Sequence, residues 1–176
     1  MNYFQFYDIP LSFNPDQTLV KKKFYELSKT YHPDFYINES EEKQQEILEK
    51  STLNNKAYQT LSNSAKLLPY LLSLQGVLLE GEKYNLPQSF LMEMMEVNEA
   101  LMELEFDADE EGIEKAITDV ELMEKSLENE LSRAITQYEN EPEEGKNTVL
   151  DLIKDIYYRK KYLLRIRESI DKFATR

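Results

Sequence analysis

Apolar positions along this chain recur at steps of three, four and seven, the spacing that gathers side chains on one face of a helix. The clearest early example is Val20, Phe24, Leu27 and Tyr31. Asn14 is placed to cap that helix, with Pro15 at its first position and Asp16 favourable to the helix dipole. Pro33 ends it, because a proline disfavours helical geometry in the residue before it. A shorter helix is predicted over Tyr3–Tyr7, stopped at Pro10. The pattern restarts near Ser40, where Glu41 and Glu42 suit a positive helix N-terminus and Ala57, Tyr58 and Leu61 supply a packing face. A further short helix is predicted over 64–75, with Pro69 either starting it or kinking it.

Three longer helical patterns follow, over about 87–106, 109–140 and 143–174. The connections "DADEEG" and "EPEEG" are short, which implies antiparallel neighbours. Ile113, Ile117, Val120, Leu127, Leu131, Ala134 and Tyr138 form one seam, and Leu152, Ile156, Leu163, Ile166, Ile170 and Phe173 another, interrupted by Arg159. All four glycines (Gly76, Gly81, Gly112, Gly145) read as lying between helices. Glycine-free stretches rich in Leu, Glu, Lys, Met and Gln favour helix over sheet, so the expected fold is all-α. The segment "GVLLEGEKYNLP" marks a boundary, giving an expected front domain over 1–75, a linker over 76–86 and a three-helix bundle over 87–176.

One helix carries more apolar surface than a single seam needs. At about 100° per residue, Phe90, Met94, Val97, Leu101 and Leu104 share one narrow sector. Leu91, Met95 and Met102 fall about a third of a turn away, and Met92 lies beyond them beside Glu96, Glu99 and Glu103. Either both stripes are buried between neighbouring helices, or the Leu/Met/Glu side stays open as a docking surface. Methionine suits the second use, since its flexible thioether adapts to a partner, and the acidic edge would select a basic one.

Composition narrows the classes. The 176 residues are 41% hydrophobic and 31% charged, as in a folded protein with large solvated faces. The absence of cysteine rules out disulfides, thiolate zinc sites and a cysteine nucleophile. The first residues show no basic, then apolar, signal pattern, and no apolar run reaches the ~18 residues of a membrane span, so a cytoplasmic protein without a membrane partner is expected. The net charge of −13 argues against nucleic acid, which needs a basic surface. That charge is uneven. Residues 1–75 hold 8 Lys/Arg against 9 Asp/Glu, while 76–176 hold 13 against 25, which suggests two units with different partners.

The single histidine sits in "KTYHPDFY", directly after the lysine-bearing helix. Three readings compete: a structural histidine, a general base oriented by Asp34, or a recognition element. The general-base reading finds no cysteine, no glycine-rich phosphate loop and no H-E-x-x-H pair, so neither enzyme activity nor a cofactor or metal is expected. The recognition reading rests on a resemblance. "YHPD" after a basic helix, followed by a helix containing "NKAYQTL", resembles the J domain of the DnaJ class. "MNYFQFYDIP", "AKLLPYLLSLQGVLL" and "FLMEMMEVNEAL" extend the resemblance to the HscB family of iron–sulfur co-chaperones, with a weaker match over 107–150. Asn54 departs from it, standing where J domains usually carry an aliphatic residue, and Pro69 sits where the family pattern is helical.

The resemblance implies an N-terminal J domain joined to a C-terminal three-helix bundle that binds an IscU-type scaffold protein. It assigns His32, Pro33 and Asp34 to stimulating ATP hydrolysis by an HscA/DnaK-class chaperone, with Lys22, Lys23 and Lys29 as an accessory basic face. It places scaffold binding on Leu91, Met92, Met95, Glu96, Glu99 and Glu103, joined by Tyr157 or Tyr158 from the last helix, Tyr158 being the one assigned. A J protein serving another client, and a non-stimulating structural adaptor, stay open as alternatives.

Overall fold

The computed structural model describes residues 1–106 and 110–174, without the side chains of 104–106 and 173–174. The side chains of Leu104 and Phe173, expected in core seams, thus lie outside what is described. Seven α-helices and one 3-10 turn make up the described secondary structure, with no strand among the described residues: the fold is all-α. It divides into two compact units, Met1–Gln75 and Gly76–Arg176.

In the front unit, α1 (Tyr3–Tyr7) opens on a capping box, in which the Asn2 side chain accepts from the Gln5 amide and the Gln5 side chain accepts from the Asn2 amide. The second helix, α2 (Gln17–Thr30), is capped by Asp16, whose carboxylate accepts from the amides of Thr18 and Leu19. Asn14 is not the cap. Asp16 meets the unpaired amides with a negative charge, and Pro15 lies buried just outside the helix rather than in its first turn. Ser40 caps α3 (Glu41–Leu61) and Asn63 caps α4 (Ser64–Leu74). Pro69 sits inside α4 without starting it; the carbonyl it leaves unpaired belongs to Ala65, on the exposed side of that helix.

The antiparallel pair of α2 and α3 is closed by α1 and α4. Phe4, Tyr7, Val20, Ile47, Ala57, Leu61, Leu71 and Leu72 are nearly or wholly inaccessible, and the Phe24 and Tyr58 rings stack at 4.2 Å. The departure at Asn54 has a physical account. Its side chain, 1% exposed, accepts from the Tyr7 hydroxyl at 2.9 Å and donates to the Phe24 carbonyl and the Ser28 hydroxyl at 3.1 and 2.9 Å. One amide therefore joins α1, α2 and α3, and no buried polar side-chain atom is left unsatisfied among the described residues.

In the rear unit, α5 (Gln88–Phe106), α6 (Glu110–Asn140) and α7 (Glu143–Ala174) form a three-helix bundle. Gly112 and Gly145, read as lying between helices, fall in the first turns of α6 and α7, where amides lack helical partners anyway. Phe90, Met94, Val97 and Leu101 of α5 are buried against Ala116, Val120 and Leu127 of α6 and Leu163, Ile166 and Ile170 of α7. The expected seam position Leu152 is instead 38% exposed, and Val149, Ile153 and Ile156 carry the inward line. Leu152 lies about 100° from Ile153, which turns it away from α6. At ~1.5 Å per residue the 19 residues of α5 reach only about 28 Å, against about 47 Å for α6 and α7. The longer pair therefore runs on beyond α5, closed there by Ala134, Ile135, Val149 and Leu150.

Replacing Asn54 with alanine leaves the Tyr7 hydroxyl only the residue-54 carbonyl at 3.1 Å, removes the side-chain bonds to the Phe24 carbonyl and the Ser28 hydroxyl, and opens a small cavity. Asn54→Ala should lower unfolding free energy by about 2–3 kcal/mol. The check is the urea midpoint of the cooperative transition; an unchanged midpoint would mean the amide does not hold the three helices together.

Candidate functional site

Two surfaces carry the residues singled out by sequence, one on each unit. On the front unit, Pro33 occupies the first position of a 3-10 turn (Pro33–Tyr36), and His32 caps it with extended backbone. The His32 Nδ1 accepts from the Asp34 amide at 3.3 Å. An accepting Nδ1 puts the proton of the neutral ring on Nε2. The side chains of His32 and Asp34 are 52% and 82% exposed, and the nearest carboxylate oxygen lies 3.8 Å from Nδ1, beyond hydrogen-bonding reach. This is not the geometry of a carboxylate orienting a general base. It holds an N–H donor and a carboxylate out to solvent, side by side.

The turn is fastened at both ends. The Tyr36 hydroxyl donates to the Thr30 carbonyl at 2.9 Å, and the Gln44 side-chain amide donates to the carbonyls of Ile37 and Glu39 at 3.2 and 3.0 Å. Tyr31, before His32, is held between the Phe6 ring and the ammonium of Lys50. Lys22 and Lys29 are exposed and seven residues apart, hence on one line of α2, with Lys22 at 4.0 Å from Glu26. Lys23 is turned away from that line and half-buried.

On the rear unit, the core stripe of α5 is buried and the Leu/Met stripe is not. Leu91, Met92, Met95 and Met102 are 41%, 63%, 60% and 59% exposed, and Glu96, Glu99 and Glu103 are exposed beside them. The alternative in which both stripes are buried between neighbours is overturned. α5 packs on α6 and α7 through its core stripe, with Asn98 beside that stripe hydrogen-bonded to Tyr162. Among the described residues no cation lies within ion-pair distance of Glu96, Glu99 or Glu103, whereas Glu121, Glu124, Glu128 and Glu130 of α6 all pair with Arg159, Lys160 or Arg167 of α7. Those outward carboxylates are concentrated on one strip of an already acidic unit.

Across 97% of its length this chain superposes on the crystal structure of the human co-chaperone protein HscB, covering 81% of that chain, with a TM-score of 0.75 and 28% identity. It also superposes on the chaperone HscB from Vibrio cholerae over 96% of its length and 98% of that protein's, at a TM-score of 0.61 and 30% identity. The chain belongs to the HscB co-chaperone family. Residues 86–171 match the family model described as the HSCB C-terminal oligomerisation domain. By sequence it is 38% identical over 113 residues to a co-chaperone HscB homologue of Vibrio cholerae serotype O1, an alignment covering 64% of this chain and 66% of that protein. It is 47% identical over 76 residues to HscB of Buchnera aphidicola, covering 43% of this chain and 44% of that protein. These alignments span just under two thirds of the first relative's length and under half of the second's. No described helix is long and apolar enough to cross a membrane, and no described cluster of His, Asp or Glu could hold a metal ion.

This HscB-family chain also contains a site-bordering element that sequence reasoning missed. The stretch 76–86 reads as a linker from its glycines, and Gly76 and Gly81 do adopt positive φ of 72° and 73°. It is nonetheless laid along α7 as a strap. Glu82 accepts from Lys154 at 2.7 Å and from the Tyr158 hydroxyl at 2.9 Å, Tyr84 stacks on Tyr158 at 4.4 Å, and its own hydroxyl donates to Asp155 at 2.7 Å. Burial, with the hydrogen bond to Glu82, pushes the Tyr158 hydroxyl up to about 12. Of the two tyrosines considered for the scaffold surface, Tyr158 is thus engaged with the strap, and Tyr157 meets it edge-on. One turn further, the Tyr162 hydroxyl accepts from the Asn98 side chain and its ring meets Phe90, tying α7 to α5. Only the spacing of aromatics at 158 and 162 hints at this in the sequence.

Hydrogen bonding to Lys154, ahead of other causes, holds the Glu82 carboxyl below the usual carboxylate range. A lowered folded-state value means the stabilisation is complete above the ordinary glutamate pKa of about 4.3 and is lost as pH falls through the lowered value. Glu82→Gln should therefore melt below wild type at pH 7, with the gap narrowing below about pH 4. Thermal melts of both proteins across pH 7 to 3 check this; a gap that stays constant with pH would rule out the ion pair as its source.

Proposed function

We propose that this protein is a two-sited adaptor of iron–sulfur cluster assembly. Its front unit acts as a J domain, presenting His32, Pro33 and Asp34 to an HscA/DnaK-class ATPase with Lys22 and Lys29 as a basic flank, from which Lys23, turned away and half-buried, is set apart. Its rear unit binds an IscU-type scaffold through Leu91, Met92, Met95, Glu96, Glu99 and Glu103, with Tyr158 at the border of that surface. The observation that supports the reading is exposure: the His32 and Asp34 side chains on the front unit, and the Leu/Met/Glu strip of α5 on the rear unit, are open to solvent. HscB-family membership supports the pairing of these two roles in one chain.

The chemistry is recognition rather than turnover. Pro33 and the fastened turn pre-order the tripeptide, which lowers the entropy cost of docking. The Asp34 carboxylate is placed to take a charge-assisted hydrogen bond from an arginine of the ATPase. The methionines offer adaptable apolar contact, and the glutamates favour a basic partner. Carrying both sites on one chain raises the local concentration of scaffold at the chaperone.

Asp34→Asn keeps the size of the side chain and removes its charge. It should reduce stimulation of the chaperone's ATPase to the basal rate while scaffold affinity, measured by calorimetry, stays as in wild type. Full stimulation by this variant would remove the J-domain assignment.

Met92→Ala with Met95→Ala should weaken scaffold binding by about 2 kcal/mol, roughly thirty-fold in Kd, with stimulation in the absence of scaffold intact. Wild-type affinity in that titration would mean the surface is misplaced or the client is a different protein.

A further inference from the structure

The outward side of α5 has a second flank. Between α5 and α6 lies an open groove of about 770 Å³, floored by Val97, Ala100, Ala116 and Met123. Glu93, Glu96 and Glu103 line it from α5, and Lys115, Asp119 and Leu122 from α6. Leu122 is 62% exposed on a helix that buries Val120 and Leu127 almost completely. A lone exposed leucine needs no explanation, but one that walls a groove with an apolar floor and an acidic rim does.

Charge decides what could fill the groove. Four carboxylates face it against one lysine. None of the four pairs with a cation among the described residues, because the basic side chains Arg159, Lys160 and Arg167 of α7 are committed to α6 acids outside the groove. A second copy would bring a net charge of −13 against this rim, and nucleic acid or an anionic membrane would be repelled in the same way. The complementary occupant is a cationic, amphipathic protein segment. Glu96 and Glu103 belong both to this groove and to the strip beside Met92 and Met95, so the two are continuous around α5.

We propose that the scaffold-binding surface wraps around α5 into this groove, where Leu122 is a second apolar anchor and a basic amphipathic segment of the scaffold is the occupant. The inference rests on the rear unit's proposed role and adds α6 to its surface. Leu122 contributes little to the core, so its replacement leaves the fold intact.

The test titrates an IscU-type scaffold protein into the full chain carrying Leu122→Ala or Asp119→Lys. Leu122→Ala should weaken binding about five- to twentyfold. Asp119→Lys should weaken it at low salt and flatten its dependence on ionic strength. Melting temperature and helical circular dichroism should match wild type in both. If both variants bind normally while the Met92/Met95 pair is weakened, the surface stops at the α7 flank and this inference fails alone. If wild type and all variants fail to bind the scaffold, the parent reading fails and takes this one with it. If sedimentation shows Leu122→Ala shifting a monomer–dimer equilibrium, the groove holds a second copy and the proposal is overturned.

Discussion

The pairing of α6 with α7 is the constraint from which the rest of the rear unit follows. Their seam buries Val120, Leu127, Leu163 and Ile170, and above it runs a ladder of ion pairs. Arg159 grips both oxygens of Glu130 at 2.9 and 2.6 Å, and Arg167 reaches Glu121 and Glu124. The ladder takes up Arg159, Lys160 and Arg167 of α7 within the bundle. The shorter α5 is then added by its core stripe, with Phe90 in that stripe and Asn98 beside it meeting Tyr162. What remains on α5 is a helix side with apolar side chains and unneutralised carboxylates. A docking surface of this kind arises when two helices satisfy each other and the third is needed only on one side.

The front unit solves a different problem, which is to hold a charged turn steadily in water. An exposed loop gains little from burial, so its order must come from local geometry and from what it is fastened to. Pro33 restricts its own backbone, the Asp34 amide is taken by the His32 ring, and the flanking carbonyls of Thr30, Ile37 and Glu39 receive bonds from Tyr36 and Gln44. Behind it, Asn54 joins three helices at a position where an aliphatic side chain could have packed without specifying partners. A buried amide with fixed donors and acceptors is satisfied in few arrangements, which favours one register of α2 against α3.

Helices were readable from the sequence wherever apolar spacing was regular, and the start of α3 from Ser40 ahead of its acidic first turn. The error at Asn14 came from two neighbouring side chains that can both cap; which one does depends on where Pro15 is buried, a tertiary matter. Leu152 was misassigned because Val149, Leu150, Leu152 and Ile153 are all apolar, and periodicity cannot rank them without the facing helix. For the candidate surfaces, the tripeptide and the Leu/Met strip were legible by motif and by angle. The strap was not, since Glu82 and Tyr84 acquire meaning only beside Lys154 and Asp155, some seventy residues later. Leu122 escaped for a different reason: it falls outside the apolar seam of its helix, and only the neighbouring α5 makes it the wall of a groove.

The exposure of the α5 methionines has a chemical side. Met92, Met95 and Met102 are each at least 59% open to water, while Met94, in the same helix, is 1% exposed. A solution oxidant therefore meets the three outer thioethers long before the inner one. Sulfoxide formation there turns flexible apolar groups into polar ones, and reduction restores them, while Met94 keeps the bundle closed throughout. The side of α5 best fitted to adapt to a partner is also the side whose thioethers are most open to oxidation.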